Sequence, residues 1–461
     1  MNFNSPLFLF LFLPVFMLVY HLSGKRAKLV VGILGSLLFY AQGNLSYVPF
    51  MLGLMLFAYV IAFGLERWRG QCASLALLWL GILINVALLV GFKLWTAVPY
   101  PLGLSYLAFQ VIAYFLEVYN QKTPVERDIL AFTFYLLLFP RLPVGPIVRY
   151  SQVKAQIHDL QVQPLDVADG LRRFIVGLAK KVLIADTLAK VVTPIFSLSA
   201  PAVSPWTAWL VIVSYSLQLF FDFSGYTDMA LGLGRMLGLR FIENFDFPYI
   251  SKNIGEFWRR WHISLSSWFR DFVFYPLERR RLRWLGQPFN VLLVFLLTGL
   301  WHGLTWNFVL WGLLHGLALV FEATSLGRRL RSLWTPLQHV YALAVILVGW
   351  VFFRSPTPAF ALEFLSRLVG NISGVKPLPF ELTSPLPFIE PTFLLALVAA
   401  ILLSLPIGRW LESALKPRLP EGWLPALAAC FAGDLVLLAL LILSLAAMAS
   451  STYAPGIYER F

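Results

Sequence analysis

Two histidines in an uncharged apolar stretch are the strongest candidates for chemistry. The stretch LLTGLWHGLTWNFVLWGLLHGLALVF contains His302 and His315 and no Asp, Glu, Lys or Arg. Ionisable groups at membrane depth are costly and usually face a cavity or a partner. Burial there favours the neutral imidazole, which can accept a proton from a hydroxyl group. This pattern predicts a general base within the membrane.

The spacing of the two histidines predicts different roles for them. Thirteen residues of unbroken helix would separate the rings by about 20 Å, which is too far for one proton relay. Gly299 and Gly303 allow a break close to His302. We therefore expect His302 near a helix end and His315 deep in the membrane as the residue that carries out the chemistry. The alternative for each is a structural hydrogen bond between helices.

The composition indicates a bilayer as the solvent of the chain. Of 461 residues, 59% are hydrophobic and 13% charged, whereas soluble domains carry about 25% charged residues. The net charge is +13, from 36 Lys and Arg against 23 Asp and Glu. These basic residues lie in short segments between apolar stretches, a placement typical of membrane topology and anionic lipid rather than of nucleic-acid binding. The two cysteines, Cys72 and Cys430, form no metal-ligand or disulfide pattern, and we expect no metal site.

The apolar stretches predict an all-α membrane protein of roughly eleven transmembrane helices, in a single domain over residues 1–461. Met1–Tyr20 lacks a basic start and a cleavage site, so we interpret it as a retained first helix. Basic residues follow alternate segments, which places the N-terminus outside the cytoplasm. Twelve stretches qualify or nearly qualify as spans, several of them too short for a full crossing: Pro6–Leu22, Leu29–Ala41, Tyr47–Leu65, Ala73–Phe92, Leu102–Tyr119, Ile129–Phe139, Trp206–Phe221, Phe289–Leu300, Phe308–Phe321, Tyr341–Phe353, Thr392–Leu405 and Leu427–Ala447.

Other segments depart from the pattern of spanning helices. FPRLPVGPIVRY, at Phe139–Tyr150, contains three prolines that a helix does not accommodate, and predicts a re-entrant turn. Leu171–Val192 and Glu256–Leu277 are amphipathic and are expected at the headgroup boundary. Asp222 and Asp228 follow the apolar stretch Trp206–Phe221, where they are expected to line an aqueous path or cap a helix end.

Several enzyme classes are excluded by missing motifs. The sequence has no Gly-x-Ser-x-Gly elbow, no Walker loop and no His-Glu-x-x-His, which argues against hydrolase, ATPase and zinc-protease chemistry. GLGRMLG follows no predicted strand and lies in no βαβ unit, so it does not indicate nucleotide binding.

An ordered set of motifs extends over about residues 1–320, and the part of the chain after Leu326 is divergent. The motifs are FNSPLFLFLFLPVF, GLSYLAFQVIAYFLEVY at Gly103–Tyr119, FPRLPVGPIVRY, FDFSGYTDMALGLGRMLG at Phe221–Gly238, NFDFPYISKNIGEFWRRWHISLSSWFRDFVFYPL at Asn244–Leu277 and GLWHGLTWNFVLWGLLHG at Gly299–Gly316. Together they resemble the membrane-bound O-acyltransferase family, in particular its bacterial branch that acetylates exported polysaccharides.

The resemblance implies an acyltransferase, most simply an O-acetyltransferase. His315 matches the histidine that is essential in the family, and His302 matches the other histidine of the motif. The family implies a funnel or tunnel near His315, an acyl donor such as acetyl-CoA arriving from the cytoplasm, and no permanently bound cofactor. It also implies a multi-pass protein of the bacterial inner membrane. Its partners would be a periplasmic acetyltransferase and an exopolysaccharide such as alginate or cellulose, without nucleic acid.

One departure and three alternatives accompany this interpretation. The loop that usually contains glycine and asparagine in the family is a basic run here, with Arg279, Arg280, Arg281 and Arg283, suited to anionic lipid or to a CoA phosphate. A related branch of the family passes D-alanine from a carrier protein to teichoic acid. A transporter would use the histidines to bind substrate or carry protons, although the inverted repeats typical of transporters are not found. An assembly scaffold would not need the histidines.

Overall fold

All regular elements that the structure describes are helical. A computed structural model of the chain describes residues 2–95, 97–198, 203–280, 286–373, 390–415 and 423–450. These residues fall into two compact units: one holds residues 1–178 and 225–243, and the other holds most of residues 179–224 and 244–454. The all-α fold class predicted from the sequence is confirmed.

The first unit is built around eight consecutive helices. α5 is almost completely buried, because α3, α4, α6 and α7 all pack against it. Residues Gly225–Glu243 complete this unit, and Gly232 packs against the carbonyl of Gly170. The helices are α1 (Phe8–Leu22), α2 (Lys25–Asn44), α3 (Tyr47–Arg67), α4 (Cys72–Leu94), α5 (Leu104–Tyr119), α6 (Ile129–Leu137), α7 (Tyr150–His158) and α8 (Pro164–Ala179).

The second unit contains both candidate histidines. Its closest helix pair is α14 with α15, and α15 also packs against α11 and α17. The helices are α9 (Asp186–Phe196), α10 (Pro205–Met236, which ends in the first unit), α11 (Ile254–Arg260), α12 (Ile263–Phe269), α13 (Tyr275–Arg280), α14 (Gly286–His302), α15 (Trp306–Ala323), α16 (Ser325–Leu330), α17 (Thr335–Arg354), α18 (Pro358–Leu368), α19 (Pro391–Leu403), α20 (Ile407–Leu415) and α21 (Trp423–Ser450).

Six helices of the described residues are long and apolar enough to cross a membrane, and shorter apolar helices accompany them. The six are Tyr47–Arg67, Cys72–Leu94, Pro205–Met236, Trp306–Ala323, Thr335–Arg354 and Cys430–Ser450; the shorter ones are Phe8–Leu22, Leu104–Tyr119, Ile129–Arg141 and Pro391–Leu403. The chain is therefore a multi-pass membrane protein. The count of eleven spans stays a prediction.

The proline-rich segment is irregular, as the sequence predicts. A short 3-10 turn covers Phe139–Arg141, and no regular structure follows before α7 begins at Tyr150. Residues 139–148 are nevertheless buried. Irregular backbone at membrane depth requires protein around it, and the burial of this loop meets that requirement.

Two predictions from polar patterning are wrong in detail. α10 continues through Asp222 and Asp228 to Met236, so these residues neither end nor cap the helix. Asp222 instead pairs with Lys181, and the two side-chain atoms Oδ1 and Nζ lie 2.7 Å apart. Because the Lys181 side chain is only 2% exposed, it is not part of a basic edge facing lipid.

The segment predicted as one amphipathic helix at Glu256–Leu277 is divided in the structure. α11 ends at Arg260, and α12 begins at Ile263. Two residues lie between them, and the second, His262, has a left-handed backbone with φ of 45°, which a non-glycine residue adopts only at a cost. This break separates α11 from the helices that follow it.

Candidate active site

The two histidines lie on a tight helical hairpin. A side chain at Gly299 would collide with the carbonyl of Phe308, and one at Gly312 would collide with the carbonyl of Phe295. Small residues at these positions allow the two backbones to approach closely. α14 ends at His302, and α15 begins at Trp306. The predicted break beside His302 is therefore confirmed.

His315 is completely buried in a cage of aromatic rings. Its ring centroid lies 5.2 Å from that of Trp311 on the same helix and 5.3 Å from that of Trp258 on α11. Phe257 stacks nearly parallel to the imidazole at 6.2 Å, and Phe295 of α14 lies at 6.4 Å. α11 and the α14–α15 hairpin thus build the cage, because each places a large ring against one imidazole.

Both ring nitrogens of His315 are buried and lack a hydrogen-bond partner among the described residues. On the α17 side the cage contains Gly349, where a Cβ atom would lie 2.7 Å from Nε2 of His315. A larger residue at position 349 would therefore obstruct this nitrogen. An imidazole whose nitrogens are not engaged in the fold can exchange a proton with a bound molecule. The structural alternative, a hydrogen bond between helices, has no support in the described residues.

His302 occupies a different position in the same cluster. It is the last residue of α14, and its ring centroid lies 5.0 Å from those of Trp311 and Phe353. The two imidazoles thus contact one ring system, the indole of Trp311. The hairpin therefore brings them much closer together than the separation of about 20 Å expected for a continuous helix.

A cavity of about 480 Å³ adjoins the cage. Trp258 and Phe295 contact His315 and also line this cavity, so the cage and the cavity share two rings. The volume lies within the range of small-molecule sites, about 300–1,000 Å³. The lining residues are Gly255, Trp258, Arg259, Ile263, Leu265, Ser266, Ser267, Phe269, Arg270, Phe274, Val291, Val294, Phe295, Thr298 and Leu319.

The chemistry of the cavity wall suits an extended, partly apolar ligand with an anionic end. Most lining residues are apolar, and Ser266, Ser267 and Thr298 add hydroxyl groups. Arg259 and Arg270 are exposed members of the lining, and Nε of Arg270 donates to Asp271 at 2.9 Å. Guanidinium groups recognise phosphate in a bidentate manner. Of the basic run noted in the sequence, Arg281 and Arg283 lie outside the described residues.

Glu322 is a buried residue of this site that the sequence did not single out. It lies at the end of α15, two turns beyond His315, and is 4% exposed. Its carboxylate accepts hydrogen bonds from the backbone N–H groups of Ile254 at 2.6 Å and Gly255 at 3.1 Å. Both N–H groups lie in the first turn of α11, where backbone donors have no partner within the helix. Glu322 therefore ties the helix that supplies Phe257 and Trp258 to the helix that supplies His315.

His262 is also buried close to the cluster, at 1% exposure. Its Nδ1 lies 3.2 Å from Oδ1 of Asn244, which also accepts from the backbone N–H and the hydroxyl of Ser264. The edge of its ring meets Phe223 at 4.7 Å. Burial lowers the pKa of His262 to about 3, so the imidazole is neutral and Nδ1 donates to Asn244. His262 fixes the break between α11 and α12.

Comparison with known proteins relates these elements to one family. The model of the membrane-bound O-acyltransferase family matches residues 126–354, a range that contains the cage, the cavity and the proline-rich loop. The chain is 41% identical over 381 residues to the probable alginate O-acetylase of Pseudomonas fluorescens, covering 80% of this chain and 75% of that protein.

Two further relatives widen the range of acceptors. The peptidoglycan O-acetyltransferase of Helicobacter pylori is 36% identical over 426 residues, which cover 81% of this chain and 80% of that protein. The teichoic acid D-alanyltransferase of Bacillus subtilis is 32% identical over 237 residues, or 47% of this chain and 58% of that protein. The chain belongs to the membrane-bound O-acyltransferase family.

Proposed function

We propose that this O-acyltransferase takes an acetyl group from cytoplasmic acetyl-CoA for O-acetylation of an exported polysaccharide such as alginate or cellulose. The observation that carries the proposal is the shared wall between His315 and the cavity. A buried imidazole without a partner in the described residues contacts Trp258 and Phe295. These two rings also line a cavity of about 480 Å³, a volume typical of small-molecule sites. Both relatives that match most of this chain, an alginate O-acetylase and a peptidoglycan O-acetyltransferase, transfer acetyl by name, which supports acetyl as the group transferred.

In this proposal His315 acts as a general base. Its neutral imidazole takes the proton of an acceptor hydroxyl while the hydroxyl oxygen attacks the thioester carbonyl carbon. The carbon–sulfur bond then breaks, and the imidazolium returns the proton to the departing thiolate. A new oxygen–acyl bond replaces the thioester, with no net change of protons on the enzyme. His302, held against Trp311, shapes the path or polarises the acyl carbonyl.

The proposed setting is the bacterial inner membrane, with the N-terminus in the periplasm. The acyl group crosses the membrane through this protein and passes to a periplasmic acetyltransferase that modifies the polymer. D-alanyl transfer to teichoic acid is the more distant candidate, because the D-alanyltransferase of Bacillus subtilis matches less than half of this chain.

The test is polymer acetylation in a deletion strain complemented with wild type, His315→Ala or His339→Ala. His339 is the matched control, since it lies in the same unit, is half-buried, and places its Nδ1 3.2 Å from the backbone carbonyl oxygen of Ser251. We expect ester groups with wild type and His339→Ala and none with His315→Ala, at equal membrane levels by blot. Restoration of ester groups by His315→Ala would remove His315 from the reaction.

A further inference from the structure

Arg141 is a buried cation that the proposed reaction does not use. It lies in the irregular loop that follows α6, within the first unit, and only 1% of its surface is exposed. The guanidinium carbon lies 5.0 Å from the ring centroid of Tyr135 and 5.5 Å from that of Phe241. Its Nε and Nη1 atoms are buried and have no hydrogen-bond partner among the described residues.

Other cations of comparable burial are paired with acids. Nζ of Lys181, whose side chain is 2% exposed, lies 2.7 Å from a carboxylate oxygen of Asp186 and 2.7 Å from one of Asp222. Arg367, 1% exposed, pairs with Glu363 at 3.3 Å and donates to two backbone carbonyls. Within the described residues, Arg141 has no carboxylate within 4.0 Å, so it differs from both.

The unmatched charge of Arg141 calls for a counter-charge. A guanidinium group does not lose its proton in proteins, so it cannot become neutral on burial as a lysine or histidine can. The cost of burying an unpaired charge exceeds the return from cation–π contacts. Ionisable residues inside membrane proteins usually pair with one another or mark substrate and ion pathways.

A second donor lies in the same place. The hydroxyl of Tyr40 is buried near Arg141 and lacks a hydrogen-bond partner among the described residues. A Cβ atom on Gly103 would lie 3.1 Å from this hydroxyl and against the carbonyl of Leu142, the residue after Arg141. The N-terminus of α5, which begins at Leu104, thus meets the loop here, and its free N–H groups favour negative charge.

We propose that Arg141 and Tyr40 form a binding site for an oxyanion. The guanidinium fork takes two oxygens of a carboxylate or phosphate, the tyrosine hydroxyl donates to the anion, and the rings of Tyr135 and Phe241 form apolar walls. The anion comes either from a small molecule, such as acetate or inorganic phosphate, or from the phosphate of a lipid headgroup.

The test measures the unfolding temperature of the full-length protein in dodecyl maltoside micelles, which contain no phosphate. One arm compares sodium chloride with sodium acetate and with sodium phosphate at equal ionic strength. A second arm adds phosphatidylglycerol to the micelles in sodium chloride. We expect one arm to raise the Tm of wild type by roughly 5 °C in a saturable manner. The arm that responds identifies the source of the anion.

Variants show whether the response belongs to Arg141. Arg141→Met should unfold no earlier than wild type in sodium chloride and should show no response in any arm, because it removes the unmatched charge. Arg26→Met is the control, an exposed arginine of the same unit, and should respond as wild type does. Arg141→Lys keeps the charge without the fork and should respond less than wild type.

Two results would overturn the proposal. The first is a wild-type Tm that is the same in all arms. The second is an anion response in Arg141→Met or Arg141→Lys equal to that of wild type. If Arg141→Met fails to fold, the wild-type titration and Arg141→Lys still decide, because both retain the cation.

Discussion

The cage of His315 and the loop of Arg141 bury two ionisable side chains in very different ways. Both residues are at most 1% exposed and both lie among aromatic rings. His315, however, lies within a regular helix and can be neutral, so its aromatic surroundings do not oppose its burial. Arg141 lies on an irregular loop and is always charged. Equal burial therefore has different consequences for the two side chains. His315 is placed to exchange a proton, whereas Arg141 requires a counter-charge.

The largest expected effect is the difference in stability between removing a buried cation that is paired with acids, Lys181, and removing one that is not, Arg141. Lys181→Met should lower the free energy of unfolding by about 3–5 kcal/mol, because it leaves the carboxylates of Asp186 and Asp222 without their cation. Arg141→Met should leave it unchanged or raise it in sodium chloride. Thermal unfolding of both variants beside wild type checks this contrast. An equal loss of unfolding free energy in the two variants would mean that Arg141 is as well paired as Lys181, which would contradict the contrast drawn here.

The next effect concerns the support of the cage. Glu322→Gln keeps one acceptor oxygen but removes the negative charge that accepts from two N–H groups of α11. We therefore expect the free energy of unfolding to fall by about 1–2 kcal/mol, because these hydrogen bonds are weakened. The acylation rate should fall about tenfold, and KM for the donor should rise because Gly255 and Trp258 line the cavity. Initial rates over a range of donor concentrations measure both constants.

Glu390→Gln is the matched control for Glu322, since Glu390 is an exposed acid of the same unit. Its kinetic constants should equal those of wild type. Unchanged kcat and KM in Glu322→Gln would show that α11 is held in place without the carboxylate, and that the cage is assembled by aromatic packing alone.

Some of this site follows from local sequence rules. The glycines around His302 predicted the break in the hairpin, and the three prolines predicted the irregular loop. Both predictions are confirmed, because glycine and proline act on their own stretch of backbone. The assignment of chemistry to His315 stays a prediction.

Other features depend on residues far apart in the chain and have no local signal. The pairing of Glu322 with the start of α11 joins residues 68 positions apart. The pair Lys181–Asp222 is another such contact, and it lets α10 continue through an aspartate that looks like a helix interruption in sequence. Only the tertiary packing determines these partners.

A smaller effect is expected from His262, whose pKa is lowered to about 3 by burial. Above pH 6.5 the imidazole is neutral in both folded and unfolded chains. Below that pH the unfolded chain binds the proton first, so stability falls as the pH decreases. Between pH 7.5 and 5.5 the contribution of His262 should lower the free energy of unfolding by about 1.4 kcal/mol.

The difference between wild type and His262→Gln isolates this contribution, because other titrating groups are common to both proteins. The variant should be less dependent on pH over the same range, as measured by thermal unfolding. A pH dependence that is identical in the two proteins would show that His262 is not buried in its neutral form.

The smallest effect is expected at His302. It touches Trp311 rather than the wall of the cavity, so His302→Gln should lower the acylation rate by less than about tenfold, the scale of roughly one hydrogen bond. Initial rates at saturating donor measure this. A loss as large as that of His315→Gln would mean that the two imidazoles act as one unit across Trp311.

The most direct test of the central claim is a single-turnover measurement with purified protein in nanodiscs. Wild type, His315→Gln and His339→Gln would be mixed with acetyl-CoA and a hydroxyl acceptor, and free CoA and acetylated acceptor would be quantified by chromatography. Wild type and His339→Gln should release CoA as the ester forms. His315→Gln should bind acetyl-CoA with unchanged affinity but release CoA about 10²–10⁴-fold more slowly. Release at the wild-type rate by a folded His315→Gln protein would contradict the account.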